Sequence, residues 1–107
     1  MPEYLLVSTT TGSRDSAVEL LRSAVRARLA AGGQVLGPVL SAFWHQGEFG
    51  EGEEWQVLLK TEADRYADLE GHLIGSHPWQ NPEVTAVAIA AGSRPYLQWV
   101  SRTLSGA

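Results

Sequence analysis

The strand-forming runs of this chain are apolar on both sides. Leu5-Leu6-Val7, Val57-Leu58-Leu59 and Val87-Ala88-Ile89-Ala90-Ala91 lack the alternation of polar and apolar residues that a strand with one solvated face shows. A sheet built from them asks to be covered twice. With 107 residues, 44% of them apolar and 19% charged, the chain reads as one domain over residues 1–107, with material for a single core. The second cover therefore has to come from outside, and another copy of the chain is the simplest source.

Composition narrows the partners. There is no cysteine, which excludes disulfides, thiolate catalysis and metal sites built on sulfur. The net charge of -4 and the scattering of eight Lys and Arg argue against nucleic acid. The apolar run Tyr4–Val7 is too short for a signal core or a membrane span, so no membrane partner and a cytoplasmic location are expected.

Periodicity orders the elements. Tyr4–Thr10 reads as a strand, and Ser13 caps a helix whose Ala17, Leu20, Leu21, Ala24, Val25 and Leu29 recur at helical spacing. That helix is expected to end near Ala31, with Gly32-Gly33 as its stop signal. Gln34–Phe49 follows as a long strand, bent or bulged at Pro38. The acidic, glycine-rich stretch Gly47–Glu54 reads as a hairpin connection leading to a strand over Trp55–Thr61. Thr61 is expected to cap a second helix carrying Tyr66, Leu69, Leu73 and Ile74, which stops before His77-Pro78. Val84–Ala91 reads as a fourth strand. Ser93, with Pro95 in the first turn, then starts a short C-terminal helix carrying Leu97, Val100 and Leu104. The order βαββαβ defines an α+β, ferredoxin-like sandwich with both crossover helices on one face of the sheet. The long second and third strands have reach to spare, and could pair with a neighbour's edge.

Specific landmarks run along this frame: Arg28-Leu29-Ala30-Ala31, Gly37-Pro38-Val39, Phe43-Trp44, Gly47, Glu53-Glu54, Leu58-Leu59-Lys60-Thr61, His77-Pro78, Pro82-Glu83, and Gly92 before Tyr96-Leu97-Gln98-Trp99. Together they resemble the divalent-cation-tolerance proteins of the CutA family over nearly the whole chain. The resemblance implies a ferredoxin-like protomer, a homotrimer related in architecture to the PII proteins, and a role in tolerance to copper and other divalent cations. It implies no reaction, and a non-enzymatic binding or signalling module is the expectation, with no required cofactor and Cu2+ as the candidate metal ligand. Three places depart from the family pattern. Gly32 stands where a Cys is common, Trp79-Gln80 where Tyr-Glu usually follows His-Pro, and Glu48 where Lys is common.

Candidate residues have bland readings beside the functional ones. Without thiolates, copper or zinc would turn to imidazole, which makes His45 and His77 the metal candidates. His72 and His77 are five apart, a spacing that does not align two ligands on a helix, so a histidine site would need several subunits. A capping or surface role is the more common case for each histidine. Glu48, Glu51, Glu53 and Glu54 lack the spacing of a calcium loop and read as a solvated hairpin. The group Trp44, Lys60, His77, Trp79, Glu83, Tyr96 and Trp99 mixes aromatics with a cation, a carboxylate and an imidazole. By the resemblance these residues approach the clefts between protomers, where they would either bind a small molecule or pack the interface. A small-molecule binder or an enzyme using that cleft, with metal binding lost, is the alternative function.

Overall fold

The β-branched and leucine-rich segments pair as their composition asks. In the computed structural model, which describes residues 3–106, the elements are β1 (Tyr4–Thr11), α1 (Arg14–Arg26), β2 (Gly32–His45), β3 (Glu48–Glu62), α2 (Tyr66–Ser76), β4 (Val84–Ala88) and α3 (Arg94–Leu104). A single 3-10 turn, Ala63–Arg65, leads into α2. The four strands form one antiparallel sheet in the order β2-β3-β1-β4. This is the expected α+β sandwich with a long hairpin and a C-terminal helix.

The core lies between the helices and one face of the sheet. Val7, Val57 and Leu59 from β1 and β3 meet Ala17, Leu20 and Ala24 of α1 and Leu69 and Leu73 of α2, all of them buried. Burying each Leu or Val there contributes about 1.5–3 kcal/mol. The register pairs Leu6 with Lys60 and Val87, and Ser8 with Leu58 and Thr85, so these residues share the opposite face. Helix α3 covers only one end of that face. Tyr4 packs on Val100 and Leu104, its hydroxyl bonds to Ser101 Oγ at 2.7 Å, and Ser101 donates to Glu62. At the C-terminal end of α3, Arg28 and Arg65 donate to the carbonyls of Thr103 and Leu104, each at 2.7 Å. Two cations thereby satisfy carbonyls that the helix leaves free.

Several boundaries differ from the expected ones, each for a tertiary reason. Ser13 does cap α1, accepting from the Ser16 N–H at 3.1 Å, but the helix stops at Arg26 instead of near Ala31. The chain turns at Arg28, which takes a left-handed φ of 57°. Gly32 and Gly33 are therefore strand residues, and crowding accounts for the second. A Cβ on Gly33 would run into the Leu58 carbonyl, Leu21 and Leu59, whereas one on Gly32 would only touch the Trp99 ring at 3.4 Å. Thr61 caps nothing; its hydroxyl is buried and donates to the Leu29 carbonyl at 2.7 Å, and β3 runs on through it to Glu62. The fourth strand closes at Ala88. Ser93 precedes α3 without a side-chain capping bond, while Pro95 lies in the first turn as expected.

The largest revision concerns Gly47–Glu54, read as a hairpin connection. The turn is confined to Gln46-Gly47, both at positive φ, and Glu48–Glu54 is ladder, paired residue for residue with Val39–His45. The register shifts between Leu36 and Val39, beside Gly37, whose missing Cβ makes room for the Trp55 ring. Beyond that bulge the two strands continue as an arm, and the molecule is 45 Å long against 25 and 22 Å across.

Candidate functional site

The sequence candidates fall into separate places in one protomer. Trp44 lies near the arm tip, directly opposite Phe49 in the ladder, with the two rings edge to face at 5.9 Å. Leu40 and Ala42 share that face with them, and Val39, Ser41 and Phe43 point the other way. Phe43 lies over Gly50, where a Cβ would come within 2.9 Å of its ring. Both faces of the arm are thus bare: Leu40 is 74% and Trp44 75% exposed, and Phe43 and Phe49 are exposed as well. His45 is exposed and pairs across the ladder with Glu48 at the turn.

Lys60, Tyr96 and Trp99 come together at the α3 end of the second sheet face. The Lys60 ammonium sits 5.7 Å over the Tyr96 ring, an attractive cation–π arrangement, and the Tyr96 and Trp99 rings lie 5.5 Å apart and tilted. Both rings remain partly exposed.

His77 and Trp79 form a third group beside the start of α1. His77 is buried, and its two ring nitrogens are both engaged. The Trp79 N–H donates to Nδ1 at 3.0 Å, which places the ring hydrogen on Nε2, 2.7 Å from the Thr10 carbonyl. That imidazole ties the loop after α2 to β1. Trp79 tilts against it at 5.1 Å and reaches over Gly12. Glu83 stands apart on the β4 side, accepting from Thr85 at 3.2 Å, whose hydroxyl also meets Ser8 at 3.1 Å. Among the described residues, no three His, Asp or Glu side chains gather as a metal-binding group.

Sequence reasoning passed over Leu40, Phe43 and Phe49, although the strand read over Gln34–Phe49 already carried them. It also set aside His72, judged only as a partner for His77. In the structure its Nε2 lies 2.6 Å from Ser23 Oγ across the α1–α2 groove.

These features define a class: a ferredoxin-like α+β protein whose middle hairpin extends past its own core, with unpaired aromatic surface on that extension and on the second sheet face. Comparison with known proteins gives it a family. Residues 5–103 match the family model described as CutA1 divalent ion tolerance protein, and the chain belongs to that family. A probable divalent-cation tolerance protein cutA homolog of Encephalitozoon cuniculi is 35% identical over 94% of this chain and 88% of its own length. The CutA of Thermus thermophilus is 33% identical over 94% and 95%. The crystal structure of CutA1 from Shewanella sp. SIB1 superposes with a TM-score of 0.91 at 32% identity, covering 95% of both chains.

Proposed function

We propose that this chain acts in divalent-cation tolerance as a homotrimeric, non-enzymatic binding or signalling module, with copper as its cation and the cytoplasm as its location. The relatives' names support the tolerance role. The observation that carries the assembly is the bare arm, a regular ladder that leaves Leu40, Phe43, Trp44 and Phe49 exposed. Isolated two-stranded hairpins are marginal in water, and a contiguous apolar patch marks an interaction surface. A second bare area lies on the opposite edge of the sheet, where Val87 of β4 is 62% exposed. Copies of the same chain cover both areas at once, because symmetry repeats every arm and every edge.

A cation site in this reading is shared between protomers. His45 supports it better than His77, for its imidazole is exposed next to Glu48 while both His77 nitrogens are engaged. The Lys60–Tyr96–Trp99 cluster favours a second reading, in which the cleft between protomers takes a small anionic molecule. Light scattering on the pure protein tests the assembly, with three chains per particle expected at micromolar concentration and a folded monomer sinking it. Calorimetric titration with Cu2+ tests the cation. Saturable binding lost in His45→Ala supports copper, and binding weaker than about 1 mM removes direct sensing and leaves the small-molecule reading. Cell fractionation checks the compartment.

A further inference from the structure

The arm and the second sheet face carry most of the exposed aromatics, and the outer surface of the helices is a separate region. A groove of about 840 Å³ runs along α1 there and reaches α2. Its floor is polar where the helices meet, at the Ser23–His72 hydrogen bond of 2.6 Å. Arg22 and Arg26, both exposed, line the same end of the groove; Glu19 lies one helical turn before Arg22 and Ser23, and Asp15 one turn before that. We infer that this end of the groove is a binding site for the phosphate group of a small anionic ligand.

Three observations carry the assignment. First, Arg22 and Arg26 stand four residues apart on one helix, where like charges repel and destabilise the helix. Glu19, three residues before Arg22, can offset that arginine, but Arg26 has no carboxylate within a turn of it on the helix. An oxyanion between the two guanidiniums removes that repulsion, and guanidinium forks match its geometry. Second, the Ser23–His72 bond uses only one of the pair's polar hydrogens. If Ser23 donates to Nε2, the Nδ1–H remains; if Nε2 donates to Ser23, the hydroxyl hydrogen remains. Whichever tautomer holds, the pair keeps one polar hydrogen that this bond does not use. Third, the groove lies outside the helical layer, on the side of the sheet opposite Leu6, Leu58 and Val87. It stays open when copies of the chain cover the arm and the second face, so the inference does not depend on the proposed assembly.

The test follows backbone amide signals of the full chain while inorganic phosphate is added at constant ionic strength, with chloride as the compensating anion. Saturating shifts centred on Ser23, Arg26 and His72 are expected. Arg26→Gln, and independently Arg22→Gln, should weaken binding roughly tenfold, the loss of one charge-assisted contact. Arg102→Gln removes the same charge from the exposed surface of α3 and should leave affinity unchanged. Shifts that grow without saturating, shifts centred on the arm or on Lys60, or an equal loss in Arg102→Gln would each overturn the inference, the last by reducing it to net charge.

Discussion

The body of the sheet and the arm that leaves it are made of the same two strands and obey opposite rules. In the body, Val57 and Leu59 of β3 are fully buried against α1 and α2, and their order is explained by what they touch. Past the bulge between Leu36 and Val39, the ladder continues to Trp44 and Phe49 with its side chains in the open. Backbone pairing alone rarely holds a two-stranded ribbon. The difference teaches that the described residues of the protomer leave the arm uncovered, and that stability and assembly should respond to different residues.

The sharpest way to break this comparison is to shorten one leucine in each region. Leu59→Ala should cost about 2–5 kcal/mol in urea or thermal unfolding, because it opens a cavity in a filled core. Leu40→Ala should change the stability of an isolated protomer by no more than about 0.5 kcal/mol. If copies of the chain cover the arm, Leu40→Ala instead lowers the assembled mass on dilution and makes the melting point concentration-dependent. A Leu40→Ala variant as destabilised as Leu59→Ala at every concentration would show that the arm has a cover within its own chain.

A smaller effect is expected at Thr9. Its Oγ1 is buried with no hydrogen-bond partner, while Thr11 and Thr61 on the same two strands donate to carbonyls. Thr9→Val keeps the shape and removes the unpaired oxygen, so it should raise stability by about 1 kcal/mol. A loss on chemical denaturation would mean the hydroxyl finds a partner, such as an ordered water. The least effect concerns pH and again belongs to the body. Burial, then a hydrogen bond and charge from Glu70, hold the Tyr66 hydroxyl above its ordinary pKa of 10.0. A raised folded value favours the neutral phenol in the native state. Its contribution is complete below the unfolded value and is lost as pH rises through the folded one. Stability should therefore fall between those two values in the alkaline range, and Tyr66→Phe should flatten that part of the profile; an unchanged slope would exclude Tyr66 as its source.

Much of the fold was legible because local chemistry agrees with it. Ser13 caps α1 as its hydroxyl suggests, and the period of Ala17, Leu20 and Ala24 defines the buried side of that helix. The misreadings share one cause. Gly32-Gly33 carries the same signal as a helix stop, yet both are strand residues, and Gly33 has no room for a Cβ beside Leu58 and Leu59, neighbours distant in sequence. Glu48–Glu54 has the composition of a loop but a ladder partner in Val39–His45, and pairing overrides composition. The candidate site was legible only as a set of residue types. Lys60, Tyr96 and Trp99 converge, whereas Trp44, His77 and Glu83 stand elsewhere in the protomer.

What the amino-acid order determined alone was the succession of elements and the demand for a second cover, since apolar spacing and two-sided strands are local properties. Tertiary structure decided where that demand is concentrated. The bulge beside Gly37 carries β2 and β3 clear of the helices, and the helices bury only one face of the sheet. The apolar surface left over therefore gathers on the arm and the second face, because covering it requires side chains that this chain has already used in its core.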